Sequence, residues 1–400
     1  MLDEALYTPA FLADPYPVYD RMRAEAPILW SERFGRWYLT RHTDATFVLR
    51  DPRFSAARAG TAMQLRSPEL LQEIAPLARL RPLAMVLSDP PDHTRVRGLV
   101  SKAFTPRTVE QMRPHVERLV DDLLARVEPV GAMDVVRDLA APLAAIVICE
   151  LLGISPDERE RVRRWADSLS TFSGNLIGGP EVDRNALATV REAAEYFAYA
   201  LHQVRACPRD DLLSAMVAAE ERGEILTGDE LLANVLLLIA AGQETTTNLI
   251  GNGVLTLLRH RDQWERLRRE PELIGTAIEE LLRYESPVQA ATRLAAEDVE
   301  VGGTRIARGD SVVSLLGSAN RDPEQFEQPQ RVDIGRRENR HLAFSHGAHF
   351  CFGAGLGRVQ GQIAIGAVVK RFPRLELATT TVEWGTNGAF RGLVSLPVKW

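Results

Sequence analysis

The stretch Phe344-Ser345-His346-Gly347-Ala348-His349-Phe350-Cys351-Phe352-Gly353 decides how this 400-residue chain is read. It sets one cysteine at the tip of a glycine-rich loop, directly before helical spacing that runs from about Gly353 to Phe372. Backbone amides at a helix N-terminus lower a thiol pKa and donate to a bound sulfur. Glycines let main chain approach a flat, bulky ligand without a Cβ in the way. Simpler readings compete. A lone cysteine is commonly a small core hydrophobe. His346, His349 and Cys351 lie within six residues, but zinc needs a fourth ligand, and Cys149 and Cys207 have no paired spacing with the loop. Gly353-Ala354-Gly355-Leu356-Gly357 outlines a dinucleotide loop, yet no apolar strand leads into it. From the loop alone these alternatives stay open.

Working outward, Ala240-Ala241-Gly242-Gln243-Glu244-Thr245-Thr246-Thr247-Asn248 interrupts an apolar helical run, Leu231 to Ile239. Polar side chains in a buried helix are costly unless they find partners. Glycine followed by acid and hydroxyl can open a helix locally and admit water. Read alone, the stretch is a kink or capping motif. Glu280-Leu281-Leu282-Arg283 places acid and base three apart on one helical face, by itself an exposed pair of little worth. His93 and Arg97 share a helical face after Asp89-Pro90-Pro91, and Arg293 follows Ala290-Ala291-Thr292. Each of these, taken singly, reads as a solvated cation.

In their order and spacing, these stretches resemble the cytochrome P-450 family, in particular its soluble bacterial haem-thiolate monooxygenases. Phe344, Gly347, Cys351 and Gly353 meet the family's Phe-x-x-Gly-x-x-x-Cys-x-Gly signature. Ser345 and His346 depart from it where glycines are common, and Gly355 stands where proline is frequent. Ala241, Gly242, Glu244 and Thr245 match the oxygen-activation motif. The resemblance runs from Asp14-Pro15-Tyr16-Pro17 to Arg391-Gly392-Leu393.

The resemblance implies haem b (iron protoporphyrin IX), with Cys351 as the metal ligand, pushing electron density onto the iron. It implies that His93, Arg97, Arg293 and His349 bind the haem propionates. Glu244 and Thr245 become the catalytic pair that relays protons during dioxygen cleavage. Glu280 and Arg283 form a buried structural pair, joined by Arg331 from Pro329-Gln330-Arg331-Val332. The implied fold is mainly α with small β-sheets, one triangular domain over residues 1–400 with a long central helix over the haem. It replaces the two domains that length alone suggests.

Composition agrees. The chain is 45% hydrophobic and 26% charged, ordinary for a globular protein. A net charge of −6 argues against nucleic-acid binding. Three cysteines far apart argue against a disulfide framework and for a reducing, cytoplasmic setting. The N-terminal segment resembles neither signal peptide nor membrane anchor. Helical spacing is expected over Tyr16 to Ala26, over Asp92 to Arg113 with a break at Pro106, and over Thr227 to His260, and a hairpin at Val299 to Ile306. Asp322 to Arg340 reads as a long irregular segment.

Bases at Arg95, Arg97, Lys102, Arg107, Arg113, Arg358, Lys370 and Arg371 suggest a face for an acidic electron carrier. No reductase or flavin domain is read in the sequence. Electrons are therefore expected from a ferredoxin or flavodoxin type donor with an NAD(P)H-dependent reductase. The pocket is expected along Ala57 to Val86, Thr171 to Gly179, Leu237 to Thr245, Val288 to Thr292 and Ala389-Phe390, with the loop Ala56 to Pro82 as a specificity lid. These apolar stretches imply hydroxylation or epoxidation of a hydrophobic small molecule in secondary metabolism, such as a polyketide, terpenoid, steroid or fatty acid. Oxidative coupling or desaturation is the alternative within the fold. A non-catalytic haem sensor or ligand carrier is the alternative from another class, and it has no use for the Glu244–Thr245 pair.

Overall fold

Start and stop signals in the sequence explain the elements that carry the site. They are the helices α1 (His42–Arg50), α2 (Asp92–Val100), α3 (Pro106–Val127), α4 (Arg159–Gly174), α5 (Gly228–Arg259), α6 (Ile274–Tyr284) and α7 (Ala354–Arg371). The strands are β1 (Ile28–Ser31), β2 (Arg36–Leu39), β3 (Ala290–Ala295), β4 (Val299–Val301), β5 (Thr304–Ile306) and β6 (Ser311–Leu315). The computed structural model describes residues 2–57, 67–174, 180–209, 211–221 and 227–400. Parts of the expected pocket, residues 58–66 and 175–179, lie outside them.

Helix α5 begins with a reciprocal capping box. The Thr227 hydroxyl accepts from the Glu230 amide (3.2 Å), and the Glu230 carboxylate accepts from the Thr227 amide (2.7 Å). The helix then runs unbroken for 32 residues, through Gly242 and the three threonines. The helical stretch over Asp92 to Arg113 is two helices, α2 and α3, divided at the break expected at Pro106. Pro106 disfavours helical geometry at Thr105, which is extended and caps α3 by accepting from the Thr108 amide. The expected lid also carries helix, at Pro68–Glu73 and Ala75–Leu80.

The chain packs as two units: Met1–Phe54 with Val109–Leu143 and Thr245–Trp400, and Ser55–Thr108 with Ala144–Glu244. In the first, β1 pairs antiparallel with β2, β2 runs parallel to β6, and β6 pairs antiparallel with β3, setting Arg293 opposite Val312. Leu39, Val48, Val299, Val301, Ile306 and Val312 form one buried cluster on this sheet. Each such side chain contributes about 1.5–3 kcal/mol. A second cluster joins Ala45 and Leu49 of α1 to Leu342, just before the cysteine loop. In the second unit, the Glu230 carboxylate at the start of α5 also holds Arg95 of α2. Asn234 of α5 accepts from the Met85 amide (2.9 Å) and donates to the Leu83 carbonyl (3.0 Å). Among the described residues no helix is long and apolar enough to cross a membrane.

Glu280 and Arg283 of α6 organise the irregular segment after Asp322. Both side chains are fully buried and paired through two 2.8 Å bonds. Arg283 also donates to the carbonyls of Asn320, Pro329 and Arg331. Glu280 also accepts from the Asp333 amide and the Asn339 side chain. The third arm expected from Arg331 comes from Arg336, whose Nε lies 3.0 Å from Glu280. Arg331 gives the network its carbonyl only, and its side chain is exposed. The polar, structureless backbone turns Arg331 outward and carries Arg336 back under α6. Glu280→Ala strands a buried guanidinium and should cost about 3–5 kcal/mol in urea denaturation. Arg336→Ala should cost about 1–3 kcal/mol, and Arg331→Ala should stay within about 0.5 kcal/mol of the parent.

Candidate active site

Main-chain hydrogen bonds fix the position of Cys351. Its amide donates to the Phe344 carbonyl at 2.9 Å, closing the loop on itself. The Phe350 amide donates to the Gly347 carbonyl (3.0 Å), and the Ala354 amide to the Cys351 carbonyl (3.3 Å). Gly347 is required here. Its φ is +70°, and a Cβ would stand 2.6 Å from the Leu49 carbonyl oxygen of α1. Ser345 takes a left-handed φ of 62° without being glycine, a strained state that costs about 1–2 kcal/mol. The departure of Ser345 from the family pattern is thus felt in the backbone.

The three cysteines differ in surroundings, and none is in a disulfide. Cys149 is buried, and burial pushes its thiol up to about 12, with Arg159 opposing and Glu150 adding. It stays a protonated core thiol. Cys207 is exposed. Cys351 is half-buried at the entry to α7, where helix amides favour a thiolate. Among the described residues no group of three or more His, Cys, Asp or Glu side chains is placed to hold a metal ion.

Of the cations, Arg293 on β3 is 5% exposed and His93 on α2 is 3% exposed, while Arg97 and His349 are half-buried. Thr245, Arg293, His349 and Cys351 belong to the first unit; His93, Arg97 and Glu244 belong to the second. Along α5, Leu237, Ala240, Ala241, Glu244 and Thr245 are partly accessible, while Leu236, Leu238, Ile239, Gln243 and Thr246 are buried. The partly accessible positions recur at three and four residues, so they form one stripe along a mostly buried helix. Gln243 points off that stripe and donates to Asp167 of α4 at 3.3 Å. Gly242 admits Ile148 so closely that a Cβ would stand 3.0 Å from its Cδ1. Within the first unit, the half-buried thiol of Cys351 and the buried guanidinium of Arg293 have the donor chemistry that an iron chelate carrying carboxylates requires.

The comparisons decide the family. The profile of the Cytochrome P-450 family matches residues 188–398. The chain is 41% identical to the polyketide biosynthesis cytochrome P-450 PksS of Bacillus subtilis, over 97% of this chain and 96% of that one. The chain belongs to the cytochrome P-450 family. It is also 40% identical to the cytochrome P-450 monooxygenase PikC of Streptomyces venezuelae, over 98% of this chain and 92% of that one. Its fold matches the crystal structure of P450BioI in complex with acyl carrier protein ligated to hexadec-9Z-enoic acid. That match has a TM-score of 0.92 and 37% identity, and covers 98% of this chain and 99% of that one. This P-450 is a monooxygenase with haem b as cofactor.

Sequence reading missed the groups that hold the cysteine loop at both ends. Glu279, beside Glu280 on α6, takes two bonds from Arg358 of α7, at 2.7 and 2.8 Å. It also takes the Nε2 proton of His341 at 3.2 Å. The only signals were an acid next to the Glu-x-x-Arg pair and a base seven residues beyond Cys351. Arg358 is one of the bases expected on a docking face for an acidic electron carrier. It is engaged within the chain, as are Arg95 with Asp92, Arg113 with Glu110, and Arg371 with Glu128. Burial pushes Glu279 up, but the Arg358 and His341 hydrogen bonds outweigh it and hold its carboxyl at about 2, against an ordinary 4.5. A depressed carboxylate stabilises the fold above its ordinary pKa, and that contribution is lost as pH falls through the folded value. Wild-type stability should therefore fall between about pH 4.5 and pH 2 more steeply than that of Glu279→Gln, read by chemical denaturation across that range.

Proposed function

We propose that, in residues 1–400 acting as one catalytic domain, the Cys351 thiolate would hold the haem iron, and that Glu244 and Thr245 would hold and pass the protons that dioxygen reduction there needs. The observation that carries the reading is the Cys351 loop: a half-buried thiol fixed by its own amide to Phe344 and opening onto a helix N-terminus. When bound, haem supplies the iron at which dioxygen is reduced and activated for insertion into a C–H or C=C bond.

The residues of the chain do the rest. Arg293 and His349, with His93 and Arg97, bind the two propionates and fix the orientation of the ring. The Thr245 hydroxyl both accepts and donates, so it can hold a proton toward the reacting oxygen while taking another from behind. The Glu244 carboxyl exchanges protons with solvent and resupplies that hydroxyl. The apolar side of the stripe, Leu237 to Ala241, keeps bulk water from draining the relay.

The substrate is a hydrophobic small molecule of secondary metabolism, of polyketide type. Support comes from the partly accessible Leu237, Ala241, Val288, Ala290 and Ala291, and from the polyketide pathway named for PksS. A separate ferredoxin or flavodoxin type protein with an NAD(P)H-dependent reductase provides electrons.

The carbon monoxide difference spectrum of the dithionite-reduced protein tests the ligand. A thiolate-type Soret band is expected, lost in Cys351→Ala; a histidine-type band in the parent would overturn the assignment. For the relay, Thr245→Ala should keep haem but divert reducing equivalents to peroxide. Product formed per NAD(P)H consumed should fall by on the order of tenfold or more, and unchanged coupling would refute the pair.

A further inference from the structure

Three observations around the cysteine loop converge on one network that the proton relay and the Glu280 clamp do not use. First, Glu279, His341 and Arg358 close a ring of hydrogen bonds between α6, the loop entrance and α7. The His341 side chain is 3% exposed. Its Nδ1 accepts the Ala343 amide at 3.2 Å, which leaves the proton on Nε2 for Glu279. The tautomer is thus fixed by main chain on one side and a carboxylate on the other.

Second, the network grips Phe344. The Arg358 guanidinium lies 4.5 Å from the centre of the Phe344 ring, and the His341 ring is 6.0 Å from it. Third, the Phe344 carbonyl is the acceptor of the Cys351 amide, at 2.9 Å. The atoms that determine where that carbonyl points are therefore held by one buried imidazole, one carboxylate and one guanidinium. The loop between Phe344 and Cys351 has only a single 3-10 turn, Gly347–His349, and a strained Ser345. It cannot hold the carbonyl by itself.

Resting on Cys351 as iron ligand, we infer that Glu279, His341 and Arg358 are positioning residues for the haem thiolate: they hold the Phe344 carbonyl and so set how much charge the sulfur keeps. An amide drawn fully onto a carbonyl has less hydrogen to offer the neighbouring sulfur. If the carbonyl slips, the Cys351 amide turns toward the sulfur, withdraws charge from it and eases its protonation. Outer partners of metal ligands act in this way, and their loss costs about 10–100-fold in affinity or activity. A carboxylate–imidazole–amide chain suits the task, because each member leaves the next a single geometry.

The test uses the haem-loaded protein and two readouts, of which the first is one that a merely structural role would not move. These are the midpoint potential of the iron, and the rate at which the reduced carbon monoxide complex converts from the thiolate-type to the thiol-type spectrum. Glu279→Gln and His341→Phe should speed conversion by on the order of tenfold and shift the potential in the same direction. His341→Gln, which can still accept from Ala343 and donate to Glu279, should stay near the parent. Should Glu279→Gln lose haem, the His341→Phe and His341→Gln comparison decides alone. Unchanged rate and potential in His341→Phe, whatever its thermal stability, overturn the inference. A parent protein with no thiolate band overturns the ligand assignment and this inference together, whereas a normal parent with silent variants overturns only the inference.

Discussion

Glu280 and Arg283 meet with no solvent exposure, and the path of the chain around the cysteine depends on that contact. Two charges removed from water lose several kcal/mol of hydration each, and their attraction restores it only if every remaining donor and acceptor is matched. Matching is done here with main chain. Three carbonyls, of Asn320, Pro329 and Arg331, turn toward Arg283; the amide of Asp333 and the side chains of Arg336 and Asn339 turn toward Glu280. A segment with no helix or strand thereby gains a defined path, and it delivers the chain to Leu342 at the mouth of the loop.

From there a second carboxylate takes over. Glu279 is the chain neighbour of Glu280 but faces a different set of partners, since adjacent residues on a helix point about 100° apart. One acid anchors the approach to the loop, and the other anchors its entrance and its exit helix. Leu342 is meanwhile packed with Ala45 and Leu49 of α1, and Gly347 comes within a Cβ's width of the Leu49 carbonyl. The cysteine is thus held by packing at one side and by charge at the other, with little help from regular structure.

Helix α5 solves a different problem. An acid and an alcohol must sit in a largely apolar helix without unwinding the element that carries them. The helix remains continuous because its ends are secured: the Thr227–Glu230 box, Arg95 and Asn234 at one end, and Asn252 donating to the Arg391 carbonyl further along. Polar residues off the accessible stripe, such as Gln243, find partners on other helices. The opening of the helix that its glycine and threonines suggested is not needed; accessibility along one stripe already exposes Glu244 and Thr245.

Much of this was legible in the residue string. Chemistry confined to a few positions of fixed spacing, Cys351 with Gly347 and Gly353, or Glu244 with Thr245, survives any rearrangement of the rest and leaves a local signature. The start of α5 at Thr227, the glycine hairpin at Gly302-Gly303 and the limits of α7 are likewise local, because hydrogen bonds within a few residues dictate them. The break at Pro106 was local too, because a proline disfavours helical geometry in the residue before it. What sequence could not decide is which side chain turns inward from a stretch with no period. Arg331 and Arg336 are equivalent on paper, and only the route of an irregular backbone under α6 chose Arg336. The engagement of Arg358 with Glu279, rather than with solvent, was decided in the same way. The sequence by itself determined the family, the fold class and the order of the helices. The tertiary structure decided which charges hold them, because burial and long-range pairing depend on distances that no spacing in the chain encodes.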